Sequence, residues 1–121
     1  MRILWLSRHN PLPAQVRELQ RIFGDGVVID IDPRPFASAE DIVERVRAGG
    51  YNEVVLVAPL SMVAKVVEMG IKPLFADMER IDFAENTDTD VDLGCGRAYR
   101  FKEFKRIVGI KVEMESLKGE L

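Results

Sequence analysis

Along the first eighty residues, short and almost continuously apolar runs alternate with longer stretches in which apolar residues recur every three or four positions. Short apolar runs bounded by turn residues are typical of strands buried on both faces, whereas the three-to-four spacing marks one buried face of a helix. The runs predict four strands, at residues 2–7, 27–31, 54–58 and 72–76.

The three stretches between these strands carry helix start and stop signals. Pro13 suits the first turn of a helix, and Gly24 is a good end for it. Ser38, followed three residues later by Asp41, resembles a capping box and predicts the start of the second helix. Ser61 is the expected N-cap of the third.

Strands and helices therefore alternate, and connections of this length require the strands to pair in parallel. The sequence predicts an α/β fold of the Rossmann-like type, a three-layer sandwich with a mainly parallel sheet in the order 2-1-3-4 and a C-terminal edge strand or hairpin. A chain of 121 residues can bury one core of this kind, so we expect a single domain over residues 1–121.

The last third of the chain has a different pattern. Residues 82–96 are acidic, polar and glycine-containing, which indicates a surface loop. Across residues 97–116, apolar side chains alternate with charged or small ones, most regularly at 108–114. This periodicity predicts one or two strands that finish the edge of the sheet.

Composition narrows the classes of function. No apolar run approaches the ~20 residues that cross a bilayer, so we expect no membrane partner. The single cysteine, Cys95, suits a reducing cytoplasm. A net charge of −3 argues against duplex DNA as a partner. The 31% of charged residues beside only two glutamines is typical of a thermophile.

Motifs for common cofactors are missing from the sequence. No G-x-G-x-x-G follows the first strand and no Walker loop occurs, so we expect no cofactor. Asp88, Asp90 and Asp92 have the spacing of the first half of a calcium loop, but the glycine and glutamate that would complete it are absent. One cysteine and one histidine leave too few ligands for zinc, so we expect no metal site.

Polar side chains follow the predicted strands at the edge where an α/β sheet binds its ligands. In such sheets the crevice lies beyond the carboxyl ends of the strands, where the strand order reverses, here between the first and third strands. The helix N-termini after Asn10 and Ser61 point to the same edge and favour an anion. We expect a phosphate-bearing, nucleotide-type ligand there, with His9 and Arg8 as catalytic candidates. The expected ligand-binding residues are Ser7, Asn10, Arg34, Ser61 and Arg80.

Each candidate has a chemical reason and a structural alternative. An imidazole titrates near neutrality, so His9 suits a general acid or base, but it also suits an ordinary loop position. The guanidinium groups of Arg8 and Arg80 can bind phosphate in a bidentate way, or they can pair with Asp32 or Glu79. The serines are turn and cap residues in the simpler interpretation.

Short stretches across most of the chain resemble one family. A strand followed by Ser-Arg-His at 7–9, a proline-containing spacer and Gln15 is similar to the start of stand-alone CRISPR-associated Rossmann-fold (CARF-like) ring nucleases and related archaeal and phage mobile-element proteins. Residues 70–76, with Arg80 shortly after them, resemble the fourth strand of that family and its basic exit. Residues 99–104 resemble its terminal F-x-x-F/Y stretch.

The resemblance implies a homodimer that binds cyclic oligoadenylate and cleaves it without metal. In that reaction the 2′-hydroxyl of the ligand attacks the adjacent phosphate and leaves a 2′,3′-cyclic phosphate, so the protein holds the in-line geometry and stabilises charge. The resemblance makes His9 the acid or base and makes Arg8 and Arg80 the phosphate clamps. The residues that position the ligand backbone would be Ser7, Asn10 and Ser61.

A second class of function fits the same residues. In a non-catalytic binding or assembly module of a mobile element or CRISPR locus, these loops are structural and an edge strand at 108–114 mediates self-association. A small-molecule phosphohydrolase or a redox partner has no signature in this sequence.

Overall fold

The computed structural model describes residues 1–94 and 96–117. Six strands and three helices follow one another in these ranges, and all of the predicted helices form. Their bounds are β1 (Arg2–Leu6), α1 (Pro13–Phe23), β2 (Val28–Ile31), α2 (Ala39–Ala48), β3 (Glu53–Leu56), α3 (Leu60–Glu68), β4 (Leu74–Ile81), β5 (Asp90–Gly94) and β6 (Arg97–Arg106).

The strands form one sheet in the order β2-β1-β3-β4-β6-β5. The four N-terminal strands pair in parallel, which confirms the α/β class and the order 2-1-3-4. The expectation of a mainly parallel sheet is wrong, because β6 pairs antiparallel with both β4 and β5. The sheet is therefore mixed, with a two-stranded hairpin added beyond β4.

Helices cover both faces of the sheet. Helices α2 and α3 pack on one face, where Ile42, Val46 and Val66 contact Leu4 and Leu56 in one buried cluster. Helix α1 packs on the other face, where Leu19 belongs to a second cluster with Trp5, Val55 and Leu74. Successive residues of β1 thus enter opposite clusters, which explains why that strand is apolar without interruption.

Local signals fixed the helix ends correctly in two places and wrongly in one. Pro13 opens α1, and Gly24 follows its end with a φ of +105°, a conformation that favours glycine. The Ser38 hydroxyl accepts a hydrogen bond from the Asp41 amide at 3.1 Å, as a cap should. Ser61 does not cap α3, because the helix starts one residue earlier and Pro59 occupies the N-cap position.

The C-terminal third departs from the sequence prediction. Residues 82–96 are not one loop, since β5 occupies Asp90–Gly94; Cys95 lies outside the described residues. Residues 97–106 form the predicted strand, but 108–114 form none. Strand β6 fills the edge of β4, and β5 is the outer strand of the sheet on that side. Ile107 and Ile110 pack against the cluster beneath α2 and α3 instead.

Strand β4 is also longer than predicted. It runs from Leu74 to Ile81 because β6 pairs with it over that whole length. Glu79 and Arg80 therefore lie inside a strand and not in a loop after it. In the described ranges, no helix has the length and apolar character needed to span a membrane.

Candidate ligand-binding site

The parallel part of the sheet opens at the carboxyl end of β3. Strands β3 and β4 share a single register pair, Val55 with Leu74, after which β4 pairs only with β6. A cavity of about 770 Å³ occupies the opening. Its size falls within the range typical of small-molecule sites. It lies at the carboxyl ends of β1 and β3, where the strand order predicts a crevice, and it extends beyond them to β4.

The walls of the cavity are largely apolar and come from both halves of the sheet. The ends of β1 and β3 contribute one side, and β4 with the β5–β6 hairpin contributes the other. Apolar and aromatic lining residues are Trp5, Leu6, Leu12, Phe36, Val55, Val57, Ala58, Phe75, Ala76, Met78, Val91, Leu93 and Tyr99. A flat apolar body could therefore contact protein on two sides.

The β1–α1 loop supplies most of the polar lining, and a hydrogen bond from the core fixes its backbone. The indole Nε1 of buried Trp5 donates a hydrogen bond to the His9 carbonyl at 2.7 Å. The His9 amide donates a long hydrogen bond to the Ser7 hydroxyl at 3.4 Å. Arg8, His9 and Asn10 are exposed and line the cavity. Among the described residues, neither the Arg8 guanidinium nor the His9 imidazole has a hydrogen-bond or ion-pair partner.

The β2–α2 loop supplies an ion pair. Arg34 donates from Nε and Nη2 to the two carboxylate oxygens of Asp32, at 2.9 and 2.8 Å. The Arg45 guanidinium approaches the same carboxylate at 3.5 Å. Hydrogen bonding from Arg34 is the main reason that the pKa of Asp32 falls to about 2. Asp32 is therefore a carboxylate throughout the neutral range.

Arg45 fixes this loop on the fold. It reaches from α2 and donates to the carbonyls of Arg34 at 2.9 Å and Pro35 at 2.6 Å. It also pairs with Asp41 of its own helix at 3.0 Å. The side chain is only 13% exposed, so these contacts tie the wall of the cavity to the buried face of α2.

Five of the seven residues expected in the site line the cavity: Ser7, Arg8, His9, Asn10 and Arg34. Ser61 and Arg80 do not line it. Ser61 lies in the first turn of α3 with its side chain exposed, and Arg80 lies near the far end of the extended strand β4. The expected side chains therefore come together from the loops after β1 and β2, whereas Ser61 after β3 and Arg80 of β4 lie outside the lining.

The two helix N-termini differ in what they offer an anion. At α1, Pro13 has no amide hydrogen, and the Ala14 amide donates to the Asp88 carbonyl at 3.0 Å. Gln15 folds back to accept from the Leu12 amide at 2.8 Å. At α3, the amides of Leu60 and Ser61 have no acceptor in the part of the chain that the structure describes. The start of α3 therefore presents two open donors near the cavity, next to Ala58 and Pro59.

Sequence reasoning missed the wall formed by Val91, Leu93 and Tyr99. The signal available was the alternation of apolar and charged residues around Tyr99, which indicates a strand but not its neighbour. The position of this wall depends on the pairing of β6 with β4, a long-range contact that no local pattern specifies.

A second, smaller cavity of about 330 Å³ lies at the opposite end of the sheet. Two of its cations are engaged in the fold: Arg106 pairs with Glu53 at 2.8 Å, and Arg47 donates to the Met69 carbonyl at 2.9 Å. The first contact joins the start of β3 to the end of β6, and the second joins α2 to the C-cap of α3, so both have a structural role. The larger cavity is therefore the candidate site.

No protein-family model, no curated protein and no solved structure matches this chain. Among the described residues, no three histidine, cysteine, aspartate or glutamate side chains are grouped so that they could hold a metal ion.

Proposed function

We propose that the protein binds a phosphate-bearing, nucleotide-type ligand in the cavity between β3 and β4, in the manner of a Rossmann-like domain. The observation that supports this most is the placement of Arg8. Its guanidinium is exposed at the rim of a largely apolar cavity and has no carboxylate partner among the described residues. An unpaired cation beside apolar walls suits a ligand with an anionic end and an aromatic body.

Several other groups support the same mode of binding. The open amides of Leu60 and Ser61 at the start of α3 favour negative charge beside the cavity. Ser7 and Asn10 offer neutral donors and acceptors on the β1–α1 loop. The aromatic rings of Phe75 and Tyr99 provide surfaces on which a base can stack.

Cleavage of cyclic oligoadenylate, which the family resemblance implies, is the narrower proposal. It needs the imidazole of His9 to be held in one orientation toward a reacting oxygen. In the described structure the loop is fixed through the backbone of His9, and no residue orients its ring. This observation favours a binding module over a catalyst.

Binding is tested by calorimetric titration of the protein with adenosine monophosphate (AMP) and with cyclic tetra-adenylate. We expect saturable binding of at least one nucleotide, and a loss of about tenfold or more on Arg8→Met because one charge-assisted contact disappears. Arg80→Met is the matched control, since Arg80 is exposed but does not line the cavity. No saturable binding of any nucleotide, or equal losses in both variants, would contradict the proposal.

Cleavage is tested by incubation with cyclic tetra-adenylate in the presence and absence of EDTA, with analysis of the products by chromatography. Turnover that survives EDTA and falls by a hundredfold or more in His9→Ala would support the ring-nuclease proposal. Binding without turnover would leave a binding module. Turnover that is unchanged in His9→Ala would remove the role of His9.

A further inference from the structure

Two of the charged residues that line the large cavity form an ion pair, so their charges offset each other. Besides Arg8, the charged lining residues among those described are Asp32 and Arg34. Arg34 forms two parallel hydrogen bonds with Asp32, a geometry that satisfies both groups. The Asp32 side chain is 12% exposed and that of Arg34 is 71% exposed, so the carboxylate is sheltered while the guanidinium remains in contact with solvent.

The charged residues that line the cavity therefore have a net charge of one positive unit, carried by Arg8. If Arg34 turned to a ligand, Asp32 would lose both hydrogen bonds from that guanidinium and would keep only the longer 3.5 Å contact from Arg45 and the bond from the Arg34 amide. Arg45 is also engaged with Asp41 and two carbonyls, so it replaces Arg34 only in part. An ionised carboxylate in the wall also repels a second phosphate directly. The cavity thus offers compensation for one anionic group.

The remaining lining is suited to an uncharged, apolar body. The cavity of about 770 Å³ lies within the range that holds a drug-sized molecule. Its far side, built from Phe75 of β4 with Leu93 and Tyr99 of the hairpin, is apolar and aromatic. Among the residues that the structure describes, no cation lines the cavity at that end.

We infer that the cavity selects a ligand with a single phosphate group on a flat apolar body, such as a nucleoside monophosphate, and that Asp32, by neutralising Arg34, disfavours a second phosphate. This inference rests on the proposed function, because it concerns the ligand of that same cavity. Asp32 is then a residue that determines specificity.

The experiment ranks adenosine, AMP, ADP and ATP by calorimetric titration at pH 8. For the wild-type protein we expect AMP to bind at least about tenfold more tightly than adenosine, because only AMP engages Arg8. ADP and ATP should bind no more tightly than AMP despite their greater charge. Tighter binding of ADP or ATP by tenfold, or no binding of any of the four, would overturn the inference. The proposed function itself would fail only if cyclic tetra-adenylate also did not bind.

The variant Asp32→Asn tests the mechanism. It releases Arg34, so we expect the affinity for ADP to rise about fivefold relative to that for AMP. Arg34→Met is the matched variant, since it leaves the Asp32 charge with only the longer contact from Arg45 and should weaken the binding of AMP and ADP together. Thermal unfolding checks that both variants are folded, and the wild-type ranking decides the matter if either is not. A ratio of ADP to AMP affinity that is the same in Asp32→Asn as in the wild type would overturn the role of Asp32.

Discussion

The indole of Trp5 and the carbonyl of His9 are joined by a 2.7 Å hydrogen bond that links the core to the candidate site. Trp5 is 2% exposed and meets Phe104 edge-on, with the ring centroids 6.4 Å apart. The Trp5 side chain thus packs in the core on one face of the sheet and also fixes the backbone of the loop that carries Arg8.

Replacing Trp5 by phenylalanine should separate these two roles. Trp5→Phe keeps an aromatic ring but removes the donor, which leaves the His9 carbonyl without its partner. We expect a loss of about 1–3 kcal/mol in the free energy of unfolding, measured by urea denaturation, together with weaker nucleotide binding. Phe104→Leu is the control, because it loosens the same core without touching the loop. Unchanged affinity in Trp5→Phe would show that the loop holds its shape without this bond.

The carboxylate of Asp90 organises the start of the hairpin that walls the cavity. Its side chain is fully buried and pairs with Arg100 at 2.9 Å. It also accepts from the amides of Glu85 and Asn86 and from the Thr89 hydroxyl. The pKa of Asp90 is strongly lowered, first by the hydrogen bond from Arg100 and then, against the cost of burial, by Thr89 and the two amides.

This arrangement predicts how stability depends on pH. Because the pKa of Asp90 is lower in the folded state than in the unfolded state, its contribution is present above the ordinary aspartate pKa of about 4 and is lost as the pH falls toward the folded value. Asp90→Asn should therefore be less stable than the wild type at pH 7, and the difference should shrink below about pH 4. Urea denaturation at several pH values measures it.

The matched control for that experiment is Asp92→Asn. Asp92 lies two residues along the same strand, is exposed, and accepts only from the Gly94 amide. Its substitution should change stability little at any pH in the series. A difference between wild type and Asp90→Asn that stays constant down to pH 2 would contradict the proposed role of the carboxylate.

Arg45 and Arg47 lie two residues apart on α2 but serve opposite ends of the sheet. Arg45 holds the β2–α2 loop at the large cavity, whereas Arg47 donates to Met69 near the small one. We expect Arg45→Lys to lose about 1–2 kcal/mol of stability and to weaken nucleotide binding, because an ammonium cannot span these acceptors. Arg47→Lys should lower stability without affecting binding. Titration measures the nucleotide affinity of both variants, and urea denaturation measures their stability. Equal effects of Arg45→Lys and Arg47→Lys on the affinity would contradict the prediction.

The parts of the fold that local chemistry determines were predictable from the sequence. The uninterrupted apolar run of β1 reflects its burial on both faces, and Ser38 and Gly24 mark helix ends through interactions with their near neighbours. The position of the loop after β1 was also predictable, because the end of the apolar run and Pro13 mark where the loop begins and ends. Its residues, 7–10, line the cavity.

The errors concern features that depend on distant contacts. Arg80 was expected after a short strand, but pairing with β6 extends β4 through it. The alternation at 108–114 indicates a strand in isolation, but these residues pair with no strand, and the edge of β4 that they were expected to finish is taken by β6. Asp90 was seen as part of an acidic loop because its partner, Arg100, lies ten residues away on the opposite strand.

The location of the ligand is tested most directly by mapping amide chemical shifts during a titration of the isotope-labelled protein with AMP. Binding in the large cavity predicts saturable changes at residues 7–10, at Val57 and Ala58, and at Leu93 and Tyr99, with residues 50–54 and 70–72 around the small cavity unchanged. Changes confined to the small cavity, or no saturable change anywhere, would contradict it.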